Sequence, residues 1–216
     1  MFNHIEGMNY PPREFQETGF QNIIKIIRAY PLATLISVHN NKLYTSHIPL
    51  IYYKDKQFPF GKLAGHIDIH NPQLNALQKG TAVNIIFHGP DSYISPSLFK
   101  ADHLPTWNYI KVHIEGKPRE IKSKDTLRQS LLKMTESLEA NTSGYMLSEN
   151  HPTMNKLLDY IVGFEIEITS WEGKFKLSQN KPTEEQDMAI QSMTVENKKD
   201  ISALVKSILK DFQRSS

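Results

Sequence analysis

The sequence predicts an α+β fold, in which helices pack outside one antiparallel sheet or barrel. Strand-like segments occur towards both ends of the chain, and helix-like segments lie between and outside them. Residues 161–168 alternate apolar side chains with Glu165 and Glu167, which is typical of an antiparallel strand with one buried face. The sequence shows no internal repeat and no linker. We therefore expect one domain over residues 1–216, with residues 182–216 as a C-terminal helical extension.

An amphipathic helix over residues 12–30 is the first predicted element. Its apolar side chains fall at helical spacing, and Pro31 ends it because proline cannot continue a helix. A hairpin follows, since strand-like residues 32–38 and 43–53 flank the turn sequence His39-Asn40-Asn41-Lys42.

A third strand, a short helix and a buried strand are predicted next, over residues 63–69, 71–80 and 81–87. Proline is favoured in the first turn of a helix, so Asn71-Pro72 begins this one, and Gly80 ends it.

The second half of the chain predicts one strand, two helices and two further strands, over residues 109–114, 124–138, 152–160, 161–168 and 173–177. The last helix is expected to begin at Thr183-Glu184-Glu185-Gln186, which matches a capping box. It is expected to carry an apolar stripe over residues 201–212.

Two segments rich in proline, serine and aromatic residues lie in the middle of the chain, at residues 89–97 and 105–109. Proline removes a backbone donor and restricts its neighbour, so we expect neither segment to form a plain helix or strand. Binding groups concentrate on loops held by a rigid scaffold, so both segments are candidates for ligand contacts.

Composition limits the class of protein. A net charge of +2 gives no global argument for nucleic acid binding. The chain has no cysteine, which excludes disulfides and thiolate metal sites. The first residues form neither a basic nor an apolar leader, and no apolar run approaches the ~20 residues of a membrane helix. We expect a cytoplasmic protein with no membrane contact.

The segment His66-Ile67-Asp68-Ile69-His70 places two imidazoles and a carboxylate on one face of a predicted strand. These groups suit a metal ion, but on an extended strand the two histidines lie ~13 Å apart. We therefore favour a polar strand face that meets ligand or solvent, and we expect no metal.

Other motifs of catalysis or nucleotide binding are missing from the sequence. There is no nucleophile elbow around any serine, no P-loop and no G-x-G-x-x-G. The alternation of Lys174, Lys176 and Ser178 projects cations from one strand face, which suits a phosphate or a reduced flavin. Lysines that protect an edge strand are the alternative.

Several segments together resemble the PaiB-type FMN-binding negative transcriptional regulators. They run in the order of that family and cover most of the chain, as Ser46-His47-Ile48-Pro49-Leu50, Gly65-His66-Ile67 with Asn71-Pro72-Gln73, Phe87-His88-Gly89-Pro90 through Ser97, Pro105-Thr106-Trp107-Asn108-Tyr109, residues 161–166 and residues 174–180. The resemblance implies a split β-barrel, related to pyridoxamine-phosphate oxidases, that forms a homodimer with FMN at the subunit interface.

The resemblance also implies which residues contact FMN. They are His47, Ile48, His66, Ile67, Asn71, Gln73, Trp107, Asn108, Lys111 and Lys176. His47, Asn71, Gln73, Lys111 and Lys176 are expected to hold the phosphate and the ring, and Trp107 and Asn108 are expected to border the isoalloxazine. The oxidases carry a more cationic phosphate segment than this chain does at residues 71–73.

Two other functions stay open at the level of sequence. One is an FMN-dependent oxidoreductase acting on a small molecule, and the other is a haem-handling relative with His66, His70 or His88 near the iron. No catalytic residue is identified. DNA binding is implied by the regulator resemblance, but the sequence contains no visible helix-turn-helix to read DNA.

Overall fold

The computed structural model describes residues 10–100, 102–140 and 144–198. This part of the chain contains eight strands and five helices: β1 (Gln16–Glu17), α1 (Phe20–Ala29), β2 (Leu32–His39), β3 (Lys42–Pro49), β4 (Ile51–Tyr53), β5 (Lys62–Asp68), α2 (Leu74–Gln78), β6 (Val83–Ile94), β7 (Thr106–Ile121), α3 (Lys124–Glu139), α4 (Met154–Leu158), β8 (Ile161–Lys176) and α5 (Thr183–Glu196). Single 3-10 turns occur at Arg13–Phe15 and Pro96–Leu98.

The strands form one sheet in the order β3-β2-β6-β7-β8-β5-β4, and β1 pairs with β8 outside this path. The β2–β3, β2–β6, β4–β5 and β5–β8 pairs are all antiparallel. The predicted α+β class with an antiparallel sheet is therefore confirmed.

Backbone contacts divide the chain into two units. Among the described residues, the larger unit consists of residues 16–89, 111–140 and 144–174, and the smaller unit of residues 10–15, 90–100, 102–110 and 175–198. Strands β6, β7 and β8 each pass from one unit into the other. The single domain with a helical extension stays a prediction.

Strand β2 shows how alternation builds the larger unit. Ala33 and Leu35 point inwards and are fully buried, whereas Leu32 and Val38 on the other face are 62% and 52% exposed. Asn40 and Asn41 both have positive φ, of 49° and 58°, which gives the tight turn whose twist suits a β-hairpin. The predicted hairpin is therefore confirmed.

The first helix is shorter than predicted, because it begins at Phe20 rather than near residue 12. The Glu17 carboxylate accepts hydrogen bonds from the Gly19 N–H at 2.7 Å and from Asn22 Nδ2 at 3.0 Å, which fixes the start of the helix. The preceding residues form β1, in which Gln16 pairs with Lys174 of β8. Gln16 and Glu17 therefore contribute to the sheet and not to the helix, and Arg13–Phe15 form a 3-10 turn before them.

The expectation that residues 89–97 and 105–109 avoid regular structure is wrong. Strand β6 continues to Ile94, and β7 begins at Thr106. Burial alternates on odd positions from Val83 to Gly89 and resumes on the even positions Ser92 and Ile94, so the strand continues with a shift of one residue at Pro90-Asp91. A proline in a strand removes only one ladder donor.

Three smaller expectations also differ from the structure. Residues 161–168 and 173–177 belong to one continuous strand, β8, and residues 43–53 form two strands, β3 and β4. Helix α5 begins at Thr183 after Pro182 with no side-chain cap, so the capping-box prediction is wrong. The predicted apolar stripe over residues 201–212 lies outside the described residues.

Candidate functional site

The ten residues predicted to contact FMN divide between the two units. Seven belong to the larger unit, namely His47, Ile48, His66, Ile67, Asn71, Gln73 and Lys111. Three belong to the smaller unit, namely Trp107, Asn108 and Lys176. Each unit thus contains a polar group of its own.

A short hydrogen-bond chain links three strands of the larger unit. Thr34 lies opposite His47 on β3, and its Oγ1 is 3.1 Å from His47 Nδ1 and 3.0 Å from His88 Nε2. A hydroxyl donates only one hydrogen, so one imidazole nitrogen accepts from Thr34 and the other donates to it. Thr34 therefore fixes both rings on the outer face of the sheet, where both histidines are exposed.

Asn71 and Gln73 hold the segment before α2 against β2 and β3. Asn71 Nδ2 donates to Ser46 Oγ at 2.9 Å, and Asn71 Oδ1 accepts the Gln73 N–H at 2.9 Å. Gln73 Nε2 points inwards, to the carbonyl oxygen of Leu35 at 3.1 Å and to Ser37 Oγ at 3.0 Å. Because Gln73 is only 1% exposed, its side chain anchors this segment from inside the larger unit.

Three of the other predicted residues contribute side chains mainly to packing or to local contacts. Ile48 and Ile67 are 8% and 3% exposed, so a ligand would meet their backbone and not their side chains. Lys111 is half-buried, and its Nζ donates to the carbonyl oxygen of Gly89 at 3.5 Å.

His66 lies in a desolvated position on β5. Its Nδ1 is buried and has no hydrogen-bond partner among the described residues. Burial lowers the pKa of His66 below its ordinary value, because a protonated ring would lose its hydration there. Asp68 and His70, by contrast, are exposed and bond to each other through Oδ1 and Nδ1 at 3.0 Å.

The free energy of unfolding should therefore fall as the pH falls through the ordinary histidine pKa of ~6.5. Near pH 6.5 the unfolded chain binds a proton on His66, whereas the folded chain does so only at lower pH. The contribution of neutral His66 to stability is therefore complete above pH 6.5 and is lost as the pH falls. In urea titrations between pH 5 and 8, the free energy of unfolding of His66→Gln should depend less on pH than that of the unchanged protein. The exposed histidine variant His70→Gln is the control, and an unchanged slope in His66→Gln would contradict this assignment.

In the smaller unit, Trp107 and Asn108 point to opposite faces of β7, as neighbours on a strand must. Trp107 packs edge-to-face on Tyr93, with ring centroids 6.1 Å apart, and the two side chains are 53% and 47% exposed. Asn108 is fully buried. The side chains of Trp107 and Asn108 therefore offer separate contacts, one aromatic and one polar.

A pocket of about 310 Å³ lies on the Asn108 side of β7. Lys176 enters it and donates to Thr106 Oγ1 at 2.5 Å. Asn108 Nδ2 donates to Ser178 Oγ at 3.0 Å, and Ser178 has a left-handed backbone with φ of 62°. This buried pair joins the start of β7 to the turn after β8 and closes the floor of the pocket.

Sequence reasoning did not find the other polar residues of this pocket. His103 Nε2 bonds to Glu185 Oε2 at 2.8 Å, and Lys181 Nζ lies 3.8 Å from the same oxygen. His103 and Lys181 line the pocket, but 78 residues separate them in the chain. The segment 105–109 and the alternation of Lys174, Lys176 and Ser178 pointed to this region in the sequence, but neither indicated His103 or Lys181.

A larger cavity, of about 660 Å³, lies along α3 in the larger unit. Its lining includes Glu136, Glu139 and Glu149 but none of the ten predicted residues. Carboxylates repel a phosphate, so this cavity does not suit FMN.

No group of three metal-binding side chains occurs within residues 10–100, 102–140 and 144–198. Among the helices of those residues, none is long and apolar enough to cross a membrane.

Comparison with known proteins gives three findings. Residues 9–170 match the family described as "Putative FMN-binding domain". The chain is 30% identical over 174 residues to the Protease synthase and sporulation protein PAI 2 of Bacillus subtilis. The aligned region covers 80% of this chain and 83% of that protein.

Solved structures share the fold at low identity. The FAD and haem binding protein of Mycobacterium smegmatis superposes with a TM-score of 0.60 at 17% identity, covering 81% of this chain and 80% of its own. The flavocytochrome Anf3 of Azotobacter vinelandii gives a TM-score of 0.58 at 12% identity, covering 80% of this chain and 75% of its own.

Proposed function

Because the chain belongs to the family of FMN-binding split-barrel proteins that includes the PaiB-type regulators, we propose that two copies pair through β2 and β3 and hold FMN between them. The cofactor and the split barrel expected from the sequence are confirmed by these matches. The homodimer, the ten contact residues and the cytoplasmic location are parts of the proposal.

The exposed apolar face of the β2–β3 hairpin is the observation that carries the proposal. Val38 and Leu43 are cross-strand neighbours, and they are 52% and 69% exposed. Leu32, on the same face of β2, is 62% exposed. Three large apolar side chains on one sheet face favour an interface, because association removes them from water. The family resemblance favours a second copy of this chain as the partner.

The polar groups on and beside this face fit the FMN phosphate. His47 lies on the same outer face as Thr34, whereas Asn71 is tied to Ser46, the neighbour of His47 on β3, whose side chain points to the other face of the strand. Imidazole and amide N–H groups donate hydrogen bonds to phosphate oxygens. We assign the phosphate to His47, Asn71 and Lys111, with Gln73 holding Asn71 in place, and with Ile48, His66 and Ile67 lining the same strands.

Taken by themselves, the predicted contact residues of the smaller unit have groups that suit a flavin ring. Exposed Trp107 offers an aromatic surface, and Lys176 offers a positive charge inside the pocket that Asn108 helps to close. When bound, FMN supplies electron transfer, while the residues of this chain bind it, orient it and exclude water.

Titration of the purified protein with FMN tests the proposal. A flavin spectrum that shifts on saturation, with quenched fluorescence, is expected. Asn71→Ala and Lys176→Ala should each weaken binding about tenfold, the effect of losing one hydrogen bond to a charged group. Asn75→Ala and Lys117→Ala, which change exposed residues of the larger unit, are the matched controls. Equal FMN affinity in all four variants would overturn the assignment.

The pocket of about 310 Å³ in the smaller unit favours a second candidate, an FMN-dependent oxidoreductase acting on a small molecule. Saturable oxidation of a nicotinamide cofactor by the FMN-loaded protein would support this activity. Operator-specific DNA binding that weakens with salt would instead support the regulatory role that the resemblance implies.

A further inference from the structure

We infer that the pocket of the smaller unit binds a small organic carboxylate with an apolar body. This inference rests on the proposed function in one respect, since Lys176 is assigned to the neighbourhood of the flavin ring. It adds the chemical class of the second ligand that shares this site.

Lys176 has a charge that its surroundings do not balance. Its ammonium donates to Thr106 Oγ1 at 2.5 Å and lies 5.9 Å from the centre of the Phe15 ring. Within the part of the chain that the structure describes, no carboxylate pairs with it. A half-buried ammonium that meets only a hydroxyl and an aromatic ring favours an anionic ligand, because solvation by water is reduced there.

The other lysine of the pocket is in a different position. Lys181 Nζ lies 3.8 Å from Glu185 Oε2, and that carboxylate also bonds to His103. The charges of Lys181 and Glu185 offset each other, so Lys176 is the one lysine of the pocket left without a carboxylate partner among the described residues. A single positive charge matches a monoanion, such as a carboxylate at neutral pH, better than a phosphate dianion. An oxidised isoalloxazine is neutral, so it leaves this charge available.

Part of the pocket lining is apolar. Phe15, Leu104 and Pro105 supply this part, whereas the buried Asn108–Ser178 pair belongs to the polar part. A volume of about 310 Å³ lies at the lower end of the range for small-molecule sites. These dimensions and this chemistry select a compact ligand, with its carboxylate on Lys176 and its apolar part against Phe15.

Benzoate is the probe, and calorimetric titration of the whole protein is the measurement, first without FMN and then with saturating FMN. Benzoate is expected to bind in both states, at least tenfold tighter than benzamide, which has the same shape and no charge. Lys176→Met should weaken benzoate binding at least tenfold, and Lys176→Arg should retain most of it. Lys117→Met, an exposed lysine of β7, is the matched control.

Three results would overturn the inference while leaving FMN binding intact. They are equal affinity for benzoate and benzamide, unchanged benzoate affinity in Lys176→Met, and displacement of benzoate by saturating FMN. Phenyl phosphate that binds tenfold tighter than benzoate would overturn the choice of a monoanion. If no flavin spectrum develops on FMN titration, the proposed function fails. The benzoate titration of the FMN-free protein then still tests whether the pocket binds a carboxylate.

Discussion

Leu43→Glu is expected to convert the proposed homodimer into monomers and to release FMN from it. Leu43 is 69% exposed at the end of the hairpin, beside Val38 on the face assigned to the partner. A carboxylate there is solvated in the monomer but becomes buried in a dimer, which costs several kcal/mol for each unpaired charge. A symmetric dimer contains the change twice, so we expect its dissociation constant to rise by at least on the order of 100-fold.

Sedimentation equilibrium over a range of protein concentrations measures this dissociation, and FMN fluorescence in the same samples measures the cofactor. Leu157→Glu is the matched control, because Leu157 is also a half-exposed leucine of the larger unit but lies on α4. It should leave the dimer and FMN unchanged. A Leu43→Glu protein that stays dimeric would place the interface elsewhere, and a monomer that keeps full FMN affinity would remove the cofactor from the interface.

The faces of the strands were predictable from the sequence, because period-two alternation survives wherever one face of the sheet is buried. Residues 161–168 show this, with Phe164 and Ile166 in the core. The hairpin was predictable because consecutive asparagines tolerate positive φ. Strand ends were less predictable: β6 continues past Pro90, although its buried positions change there from odd-numbered to even-numbered residues.

Residues of the candidate site could be predicted only where the sequence pattern indicates to which side of a strand the side chain points. Lys176 could be proposed from strand alternation, and it does enter a pocket. Gln73 looks like a polar turn residue in the sequence, yet its amide lies inside the larger unit because β2 and β3 present backbone and hydroxyl acceptors to it. The contact between His103 and Glu185 joins residues 82 positions apart, so no local sequence pattern predicts it.

Gln73→Glu is expected to destabilise the larger unit more than Gln73→Ala does at neutral pH. The Gln73 side chain is 1% exposed, and its nitrogen donates to the Leu35 carbonyl oxygen and to Ser37 Oγ. Gln73→Ala removes the hydrogen bonds to the Leu35 carbonyl oxygen and to Ser37 Oγ, at a cost of about 1–3 kcal/mol, and adds a cavity. A glutamate would place a buried carboxylate against that same carbonyl oxygen, so electrostatic repulsion adds to the loss.

The pH dependence of stability distinguishes the loss of the Gln73 hydrogen bonds from the loss of its packing. Burial beside acceptors would raise the pKa of a glutamate at this position, so acid would protonate it in the folded protein before the unfolded one. The protonated carboxyl can donate to the Leu35 carbonyl, and Gln73→Glu should therefore regain stability relative to Gln73→Ala as the pH falls from 7 to 5. Urea titration of both variants measures this difference, with Gln21→Glu, at an exposed position of α1, as the control. A constant difference across that range would mean that Gln73 stabilises the larger unit through its volume and not through its hydrogen bonds.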